Sequence, residues 1–378
     1  MDVRDFDFDL PSELIAQEPP AVRGGARLLH LDRATGSLAH TLVSALPDLL
    51  RAGDLVVVND TRVFPARLLG RRHPSGGAVE CLLVRRLEAG EGPTRVRSGS
   101  DEGQTGVRPG SDPDPSGVES ALWEALVHPG QKLKPGARVV FEGSRTIHGE
   151  ILERRGFGRR IVRLWTSDGS TVDDAVDAIG HMPLPPYIRR DDRPDDRDRY
   201  QTVFARARGS IAAPTAGLHF TAGLAAALGA RGVGIASVTL HVGYGTFQPI
   251  RVERVEDHRL ESERYEIGVP AADAINRARA EGRRVIAVGT TTTRTLEAVA
   301  RAHEGRIAAG HGDTDLFLYP GADFRIVDGL LTNFHLPQSS LLMLVAAFAG
   351  RDRVRSAYDA AVAERYRFYS YGDAMLVL

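Results

Sequence analysis

Between Arg62 and Thr166 the chain loses its helical period and becomes a run of six short strands: VFPARLLGR, AVECLLVRR, ALWEALVH, ARVVFE, TIHGEILER and RRIVRLWT. Turns such as HPSGG, HPGQKLKPG and RRGFG part them. Short strands at this spacing build a small barrel or sandwich. On either side of this stretch, strands and helices alternate, and alternation of that kind builds a layered α/β domain. The expected fold class is therefore α/β: a discontinuous α/β domain of residues 1–61 and 166–378, with a small all-β barrel inserted as residues 62–165. Within the insert, residues 88–120 are rich in Gly, Ser, Pro and Asp, with valines for apolar residues. Such a segment cannot bury a core and is expected to be a mobile loop without catalytic duty.

The flanking pattern is explicit. Leu10 to Ala16 reads as a short helix opened by Pro11, RLLHLDRATGSLAH as a hairpin, Leu42 to Leu50 as a helix and Leu55 to Asn59 as a buried strand. After Thr166, Thr221 caps a helix that Gly232 ends. VGIASVTLHV and RRVIAVG are strands, and Ala271–Glu281 and TRTLEAVARA are helices. Leu330 to Phe334 is a strand, Ser340 to Ala349 a buried helix and Arg353 to Arg365 an amphipathic one.

Composition excludes several classes. Hydrophobic residues make up 42%, enough for a core, and no window approaches the length of an uncharged membrane span. MDVRDFDFDL has no signal-peptide core. The single Cys81 rules out a disulfide framework or a cysteine metal site, and a cytoplasmic protein is expected. The net charge of −1 is silent about nucleic acid, but Lys132 and Lys134 are the only lysines among 48 basic residues. Arg suits phosphate and base contacts, although a GC-rich genome produces the same bias. Local clusters, such as Arg67 with Arg71 and Arg72, carry more weight.

Three histidines stand where apolar strands run into polar loops: His219 in APTAGLHF, His241 in VTLHVGYG and His335 in LTNFHLPQ. Strand ends in an open α/β sheet build the binding crevice, and an imidazole titrating near neutrality suits acid–base work. Each could equally be a satisfied core histidine. No H-x-H, HExxH or paired carboxylate accompanies them, so no metal is expected. Convergence in one cleft with Thr215, Thr290 and Asn333 is the expectation. His241 ranks first as base because its Gly-Tyr-Gly neighbourhood admits close backbone approach, with Asp60, Asp257 or Asp373 the next candidates. VIAVG-TTTT-R is strand, hydroxyl-rich turn and helix; Thr290 and Arg294 could serve an anion at the helix start, or ordinary capping. Asn59, Asp60 and Arg62 mark the crossing into the insert, where ligands often sit. Tyr187, in the rigid GHMPLPPYI, could stack on a base or pack the prolines. RFYSYGDAM could simply dock the chain end. HVGYGTF lacks the third glycine of a dinucleotide fingerprint, so these residues by themselves predict no nucleotide cofactor.

These segments, in order, resemble one family, the S-adenosylmethionine:tRNA ribosyltransferase-isomerases of queuosine biosynthesis. The resemblance runs nearly end to end. It takes in FDFDLPSELIAQEP, RLLHLDR, GDLVVVNDTRVFPARL, GHMPLPPYI and DRYQTVFA, then the histidine segments, EDHRLESE, VIAVGTTTTRTLE and RFYSYGDAM. Ala26 and Tyr244 stand where the family usually has Ser and Ala, and Leu87 to Ser120 looks inserted.

The resemblance implies transfer and isomerisation of the ribosyl part of S-adenosylmethionine onto 7-aminomethyl-7-deazaguanine at the tRNA wobble position. The products would be epoxyqueuosine-tRNA, adenine and methionine. S-adenosylmethionine would be a co-substrate, with no prosthetic group and no metal, since the sulfonium is itself the activating charge. The chemistry asks for a base at the ribose 5′ carbon, a proton donor for adenine and a pocket that keeps the acceptor amine neutral. His241, His219 and His335 are the catalytic candidates. Asn59, Asp60, Arg62, Thr215, Tyr187, Thr290, Arg294 and Asn333 are the substrate candidates. Arg62, Arg67, Arg189 and Arg190, flanking the expected domain cleft, are the tRNA candidates. The partners implied are tRNA and S-adenosylmethionine, with no membrane and a monomeric chain. Two rival classes are a non-catalytic RNA-binding protein and an S-adenosylmethionine-dependent RNA methyltransferase, which would yield S-adenosylhomocysteine instead of adenine.

Overall fold

A computed structural model of the chain describes residues 1–88, 119–247 and 250–378. It divides into two compact units, one of Met1–Val63 with Leu184–Leu378 and one of Phe64–Pro183. The loop expected at 88–120 lies, from 89 to 118, outside the described residues.

The chain enters the first unit with β1 (Arg27–Leu31), β2 (Leu38–Leu42), the short helix α1 (Leu46–Leu49), β3 (Leu55–Asn59) and β4 (Thr61–Val63). The second unit follows: β5 (Arg67–His73), β6 (Ala78–Arg86), β7 (Ser120–His128), β8 (Arg138–Glu142), β9 (Thr146–Arg154), β10 (Arg159–Thr166) and the helix α2 (Val172–Ile179). The return to the first unit brings α3 (Asp196–Arg199), β11 (Ala207–Ser210), α4 (Ala222–Ala230), β12 (Gly234–Leu240), β13 (Glu263–Ile267) and α5 (Val269–Ala280). It ends with β14 (Val285–Val288), α6 (Thr290–Ala302), β15 (Gly310–Thr314), β16 (Gly329–Asn333), α7 (Ser340–Ala349), α8 (Arg351–Ala363) and β17 (Ala374–Val377).

Nine strands of the first unit form one sheet in the order β15-β13-β12-β3-β14-β16-β17-β1-β2. The central four, β12, β3, β14 and β16, are mutually parallel, and antiparallel pairs flank them. Helices cover both faces, so β3 and β14 at the centre read as almost unbroken apolar runs. All five residues of β3 are buried. Strand alternation sends Leu55 and Val57 to the layer containing Ile275, Leu296 and Leu344, and Val56 and Val58 to the layer containing Leu224 and Leu228. Burying each such side chain stabilises the fold by about 1.5–3 kcal/mol. A charge at Val57 would break this two-faced core.

The second unit is a closed barrel, β10-β7-β6-β5-β8-β9, antiparallel throughout. Gly70 permits the β5–β8 contact, since a Cβ there would lie 2.2 Å from the Val140 carbonyl oxygen. Burial pushes the Cys81 thiol up to about 12, so it stays a neutral core group. The unit runs on to Pro183 because α2 packs on β9 and β10, and His181 exchanges backbone hydrogen bonds with Arg67.

Some local expectations differ from the structure. Leu10 to Ala16 forms only a single 3-10 turn at Ser12–Leu14, because Ile15 bridges Phe368 and the Ala16 amide bonds its carbonyl. Leu42 closes β2, so helix is confined to Leu46–Leu49 after a 3-10 turn. The tail does more than dock: β17 sits inside the sheet between β16 and β1. Among the described residues, no helix is long and apolar enough to cross a membrane.

Candidate active site

The four parallel strands point the same way, so their C-terminal ends share one edge of the sheet, where ligands bind in open α/β folds. Asn59 ends β3, His241 follows β12, Gly289 and Thr290 follow β14, and Asn333 ends β16. Asn59 organises this edge. Its Nδ2 donates to the Leu240 carbonyl at 2.9 Å, and its Oδ1 accepts the Leu240 and Thr61 amides at 3.1 and 3.0 Å. The side chain therefore supplies the pairing that the β3–β12 ladder lacks beyond Val238, and Nδ2 also reaches Thr291 Oγ1 at 3.4 Å. Next to it, buried Asp60 accepts Thr239 Oγ1 at 2.6 Å and pairs with exposed Arg206 at 2.8 Å.

At this edge lies a cavity of about 570 Å³. Its walls are Ala212–Ala216, Gly289–Thr291, Thr332, Asn333, His335, the strap Leu336–Leu341, Tyr369 and Ser370, with Ile15, Pro186, Tyr187, Val242 and Ile250. Not one of these residues is Arg, Lys, Asp or Glu. The rings of Tyr187 and Tyr369 stack at 4.2 Å, and the Tyr187 hydroxyl bonds Ser370 Oγ. Gln17 fixes the Pro-rich segment from behind, donating to the Tyr187 carbonyl at 2.9 Å and accepting the Arg189 amide at 2.8 Å. Tyr369 holds φ at 73°, a left-handed conformation rare for an aromatic residue.

The structure gives the three histidines different places. His335 lines the cavity; its Nε2 meets Thr332 Oγ1 at 2.7 Å, and burial lowers it to about 3. Its Nδ1 has no partner among the described residues and is not sealed from open space. His219 lines a separate small crevice that shares Ser370 with the cavity. Asn333 spends its Nδ2 on the carbonyls of Tyr369 and Ser370, so its Oδ1 must accept from His219 Nε2, at 3.3 Å. Burial lowers His219 to about 4. His241 bonds Thr61 Oγ1 through Nδ1 at 2.8 Å, and burial first, then Arg264, holds it below its ordinary value. It lies so close to Gly209 that a Cβ there would come within 2.8 Å of the ring. Neither crevice nor cavity includes His241, although Val242 lines the latter.

Of the other expected residues, Thr215, Tyr187, Thr290 and Asn333 line the cavity. Asn59 and Asp60 stand behind its wall in the contacts given above. Arg294 is buried inside α6, with its guanidinium paired to Glu263 at 2.5 Å and its Nε donating to the Leu316 carbonyl at 2.9 Å. That commitment leaves it away from the cavity wall. The tRNA candidates also separate. Arg62 and Arg189 are exposed. Arg67 is paired to Glu80 at 2.8 Å, and Arg190 grips buried Asp196 through two bonds of 2.7 and 2.9 Å. Arg62 lies in register with Arg208 across β4 and β11.

Sequence reasoning missed Ser339, Ser340, Tyr369 and Ser370 as wall residues. Ser339 carried a signal, standing as N-cap before the apolar run of α7, where its Oγ accepts the Leu342 amide at 3.2 Å. Tyr369 carried none, since its place depends on β17 joining the sheet.

Comparison with known proteins agrees with this arrangement. The model of the queuosine biosynthesis protein family matches residues 3–377. An S-adenosylmethionine:tRNA ribosyltransferase-isomerase of Geobacter sulfurreducens is 50% identical over 376 residues, covering 99% of each chain. One of Desulfitobacterium hafniense is 47% identical over 378 residues, covering 100% of both. A solved S-adenosylmethionine tRNA ribosyltransferase from Thermotoga maritima is 35% identical, with a TM-score of 0.52 over 99% of this chain and 100% of that one. An α/β sheet with its strand-end cavity, a closed six-stranded barrel and a match along nearly every residue place this chain in the queuosine biosynthesis protein family.

Proposed function

We propose that this chain is an S-adenosylmethionine:tRNA ribosyltransferase-isomerase. It moves the ribosyl part of S-adenosylmethionine onto the amine of 7-aminomethyl-7-deazaguanine in tRNA, with isomerisation to the epoxycyclopentane of epoxyqueuosine, and releases adenine and methionine. The observation that carries the assignment to this cavity is its uncharged lining at the ends of the parallel strands, with a neutral imidazole open to it.

The lining suits the chemistry in two ways. With no carboxylate to favour an ammonium and largely apolar walls, desolvation keeps the acceptor amine unprotonated and nucleophilic. The same walls leave the sulfonium charge unscreened, so it acidifies the adjacent 5′ carbon strongly. We assign the proton acceptor to His335. With Nε2–H donating to Thr332 Oγ1, its Nδ1 is left without a partner among the described residues of a side chain that lines the cavity. His219 acts through Asn333, and His241 holds Thr61 at the end of β3. Thr215, Thr290 and Asn333 contact the co-substrate, and the Tyr187–Tyr369 stack offers a flat surface to a heterocycle. Arg62 and Arg189 are the RNA-facing cations among the four candidates, because Arg67 and Arg190 are engaged by carboxylates. The buried thiol of Cys81 suits a reducing cytoplasm.

Incubation with S-adenosylmethionine and precursor tRNA, followed by chromatography of the small products, tests the assignment. Adenine and methionine are expected. S-adenosylhomocysteine would mean a methyltransferase, and tRNA binding without turnover a non-catalytic RNA-binding protein.

A further inference from the structure

The start of α6 is built for an anion, and Arg294, one turn further on, is committed to Glu263. Gly289, with φ of 90°, follows β14 and serves as N-cap without a side-chain cap bond. Its amide is used by the Leu331 carbonyl at 2.8 Å, and helical bonding begins with the Thr293 amide on Gly289 at 3.2 Å. The amides of Thr290 and Thr291 thus have no acceptor among the described residues. Both residues line the cavity while only 6% and 7% exposed. The Thr290 hydroxyl is a second, independent mark. It has no partner among the described residues, yet it is not sealed off, so it opens on the cavity. Across the same cavity begins α7, where the Ser340 amide and hydroxyl are likewise unaccepted and the residue lines the wall. Two helices therefore direct their positive ends into one cavity with no Arg, Lys, Asp or Glu among its described wall residues.

We propose that Gly289–Thr291 is a carboxylate subsite, receiving the α-carboxylate at the amino-acid end of S-adenosylmethionine, with Ser340 as a second donor. This rests on the reading that the cavity takes that co-substrate. The chemistry favours a carboxylate over an RNA phosphate. The donors are neutral and few, and Thr290 and Thr291 are more than nine-tenths buried, which suits one compact monoanion. A polyanionic backbone is held by exposed Arg and Lys, and none lines this cavity. The inferred orientation sets the sulfonium away from the helix starts, toward His335 and Asn333, and leaves the Tyr187–Tyr369 face to the purine.

The test compares two probes by calorimetry: S-adenosylhomocysteine, which has the amino-acid end, and 5′-methylthioadenosine, which lacks it. The wild-type chain should bind the first at least about tenfold more tightly. Thr290→Val, which removes the hydroxyl at equal size, should weaken S-adenosylhomocysteine about three- to tenfold and leave methylthioadenosine unchanged. Thr290→Ser should restore wild-type binding. The subsite is overturned if Thr290→Val weakens both probes equally, or neither, or weakens tRNA alone. If the wild-type chain binds neither S-adenosylmethionine nor S-adenosylhomocysteine, the reading of the cavity itself falls and takes the subsite with it. Full turnover of S-adenosylmethionine with no effect of Thr290→Val would defeat the subsite alone.

Discussion

Asn333 donates its side-chain amide to the carbonyl of Tyr369 at 2.8 Å, joining the end of β16 to a residue whose φ is 73°. The Tyr369 amide answers by donating to the Phe334 carbonyl at 3.0 Å. Two bonds thus hold a strained aromatic residue against the end of the strand that leads to His335. A conformation of this kind costs on the order of 1–3 kcal/mol and persists only where its surroundings enforce it. Asn333→Ala should lower stability by about 1–3 kcal/mol, since buried carbonyls lose their donor. Its affinity for S-adenosylhomocysteine should also fall as the Tyr187–Tyr369 face loosens. Denaturant melts and calorimetry on the one variant check both; unchanged binding would detach Tyr369 from the site.

Replacing each histidine separates their roles. His335→Ala should lower the rate of adenine release about a hundredfold to ten-thousandfold, as loss of a general base does, with affinity for S-adenosylmethionine nearly kept. His219→Ala should act through Asn333 and affect binding as much as rate. If adenine appears at wild-type rate from His335→Ala, the base is elsewhere, and His241 is the next group to test.

Burial holds His219 at about 4 and His335 at about 3, below the ordinary 6.5. The unfolded chain therefore binds protons first as pH falls. Their contribution to stability is complete above pH 6.5 and is lost as pH drops toward 4 for His219 and 3 for His335. Each unit corresponds to about 1.4 kcal/mol, so melting temperature should fall steeply between about pH 6 and about pH 4. A His219→Asn, His335→Gln variant should show a visibly shallower fall. Equal slopes would mean that carboxylates alone govern acid unfolding.

Arg294 tests whether its buried charge is structural. Arg294→Met leaves the Glu263 carboxylate buried without its guanidinium, which should cost about 3–5 kcal/mol. Adding Glu263→Gln should recover much of that loss. Were Arg294→Met stable but defective in anion binding, the guanidinium would belong to the site.

Among the tRNA candidates, Arg62→Ala and Arg189→Ala should each reduce the slope of log affinity against log salt by about one. Arg190→Ala should instead destabilise the fold, because Asp196, with 4% of its side chain exposed, loses a partner that binds it through two hydrogen bonds. A lost salt dependence in Arg190→Ala at unchanged stability would reverse that division.

Local pattern made much of this protein legible. The six barrel strands and the apolar strands β3, β14 and β16 could be read directly, because period and composition are set by which faces are buried. So could the helix start at Thr221, where capping chemistry is confined to a few neighbours, whereas the TTTT run, read as a turn before a helix at Thr293, is the first turn of α6 itself. The order of motifs along the chain was enough to show the family. The tertiary structure decided what those strands bring together. Asn59 meets Leu240, separated by 181 positions, and Asn333 meets Tyr369 because β17 inserts beside β16. It also decided which of several similar residues faces a ligand. Thr290 and Arg294 are one helical turn apart, yet one lines the cavity and the other is neutralised by Glu263. The same holds for the histidines, which look alike in sequence, yet of the three His335 lines the cavity, His219 lines the small crevice and His241 lines neither. Sequence records which groups are available, but partners distant along the chain determine which of them are already satisfied, and a group that is satisfied inside the fold has nothing left to offer a substrate.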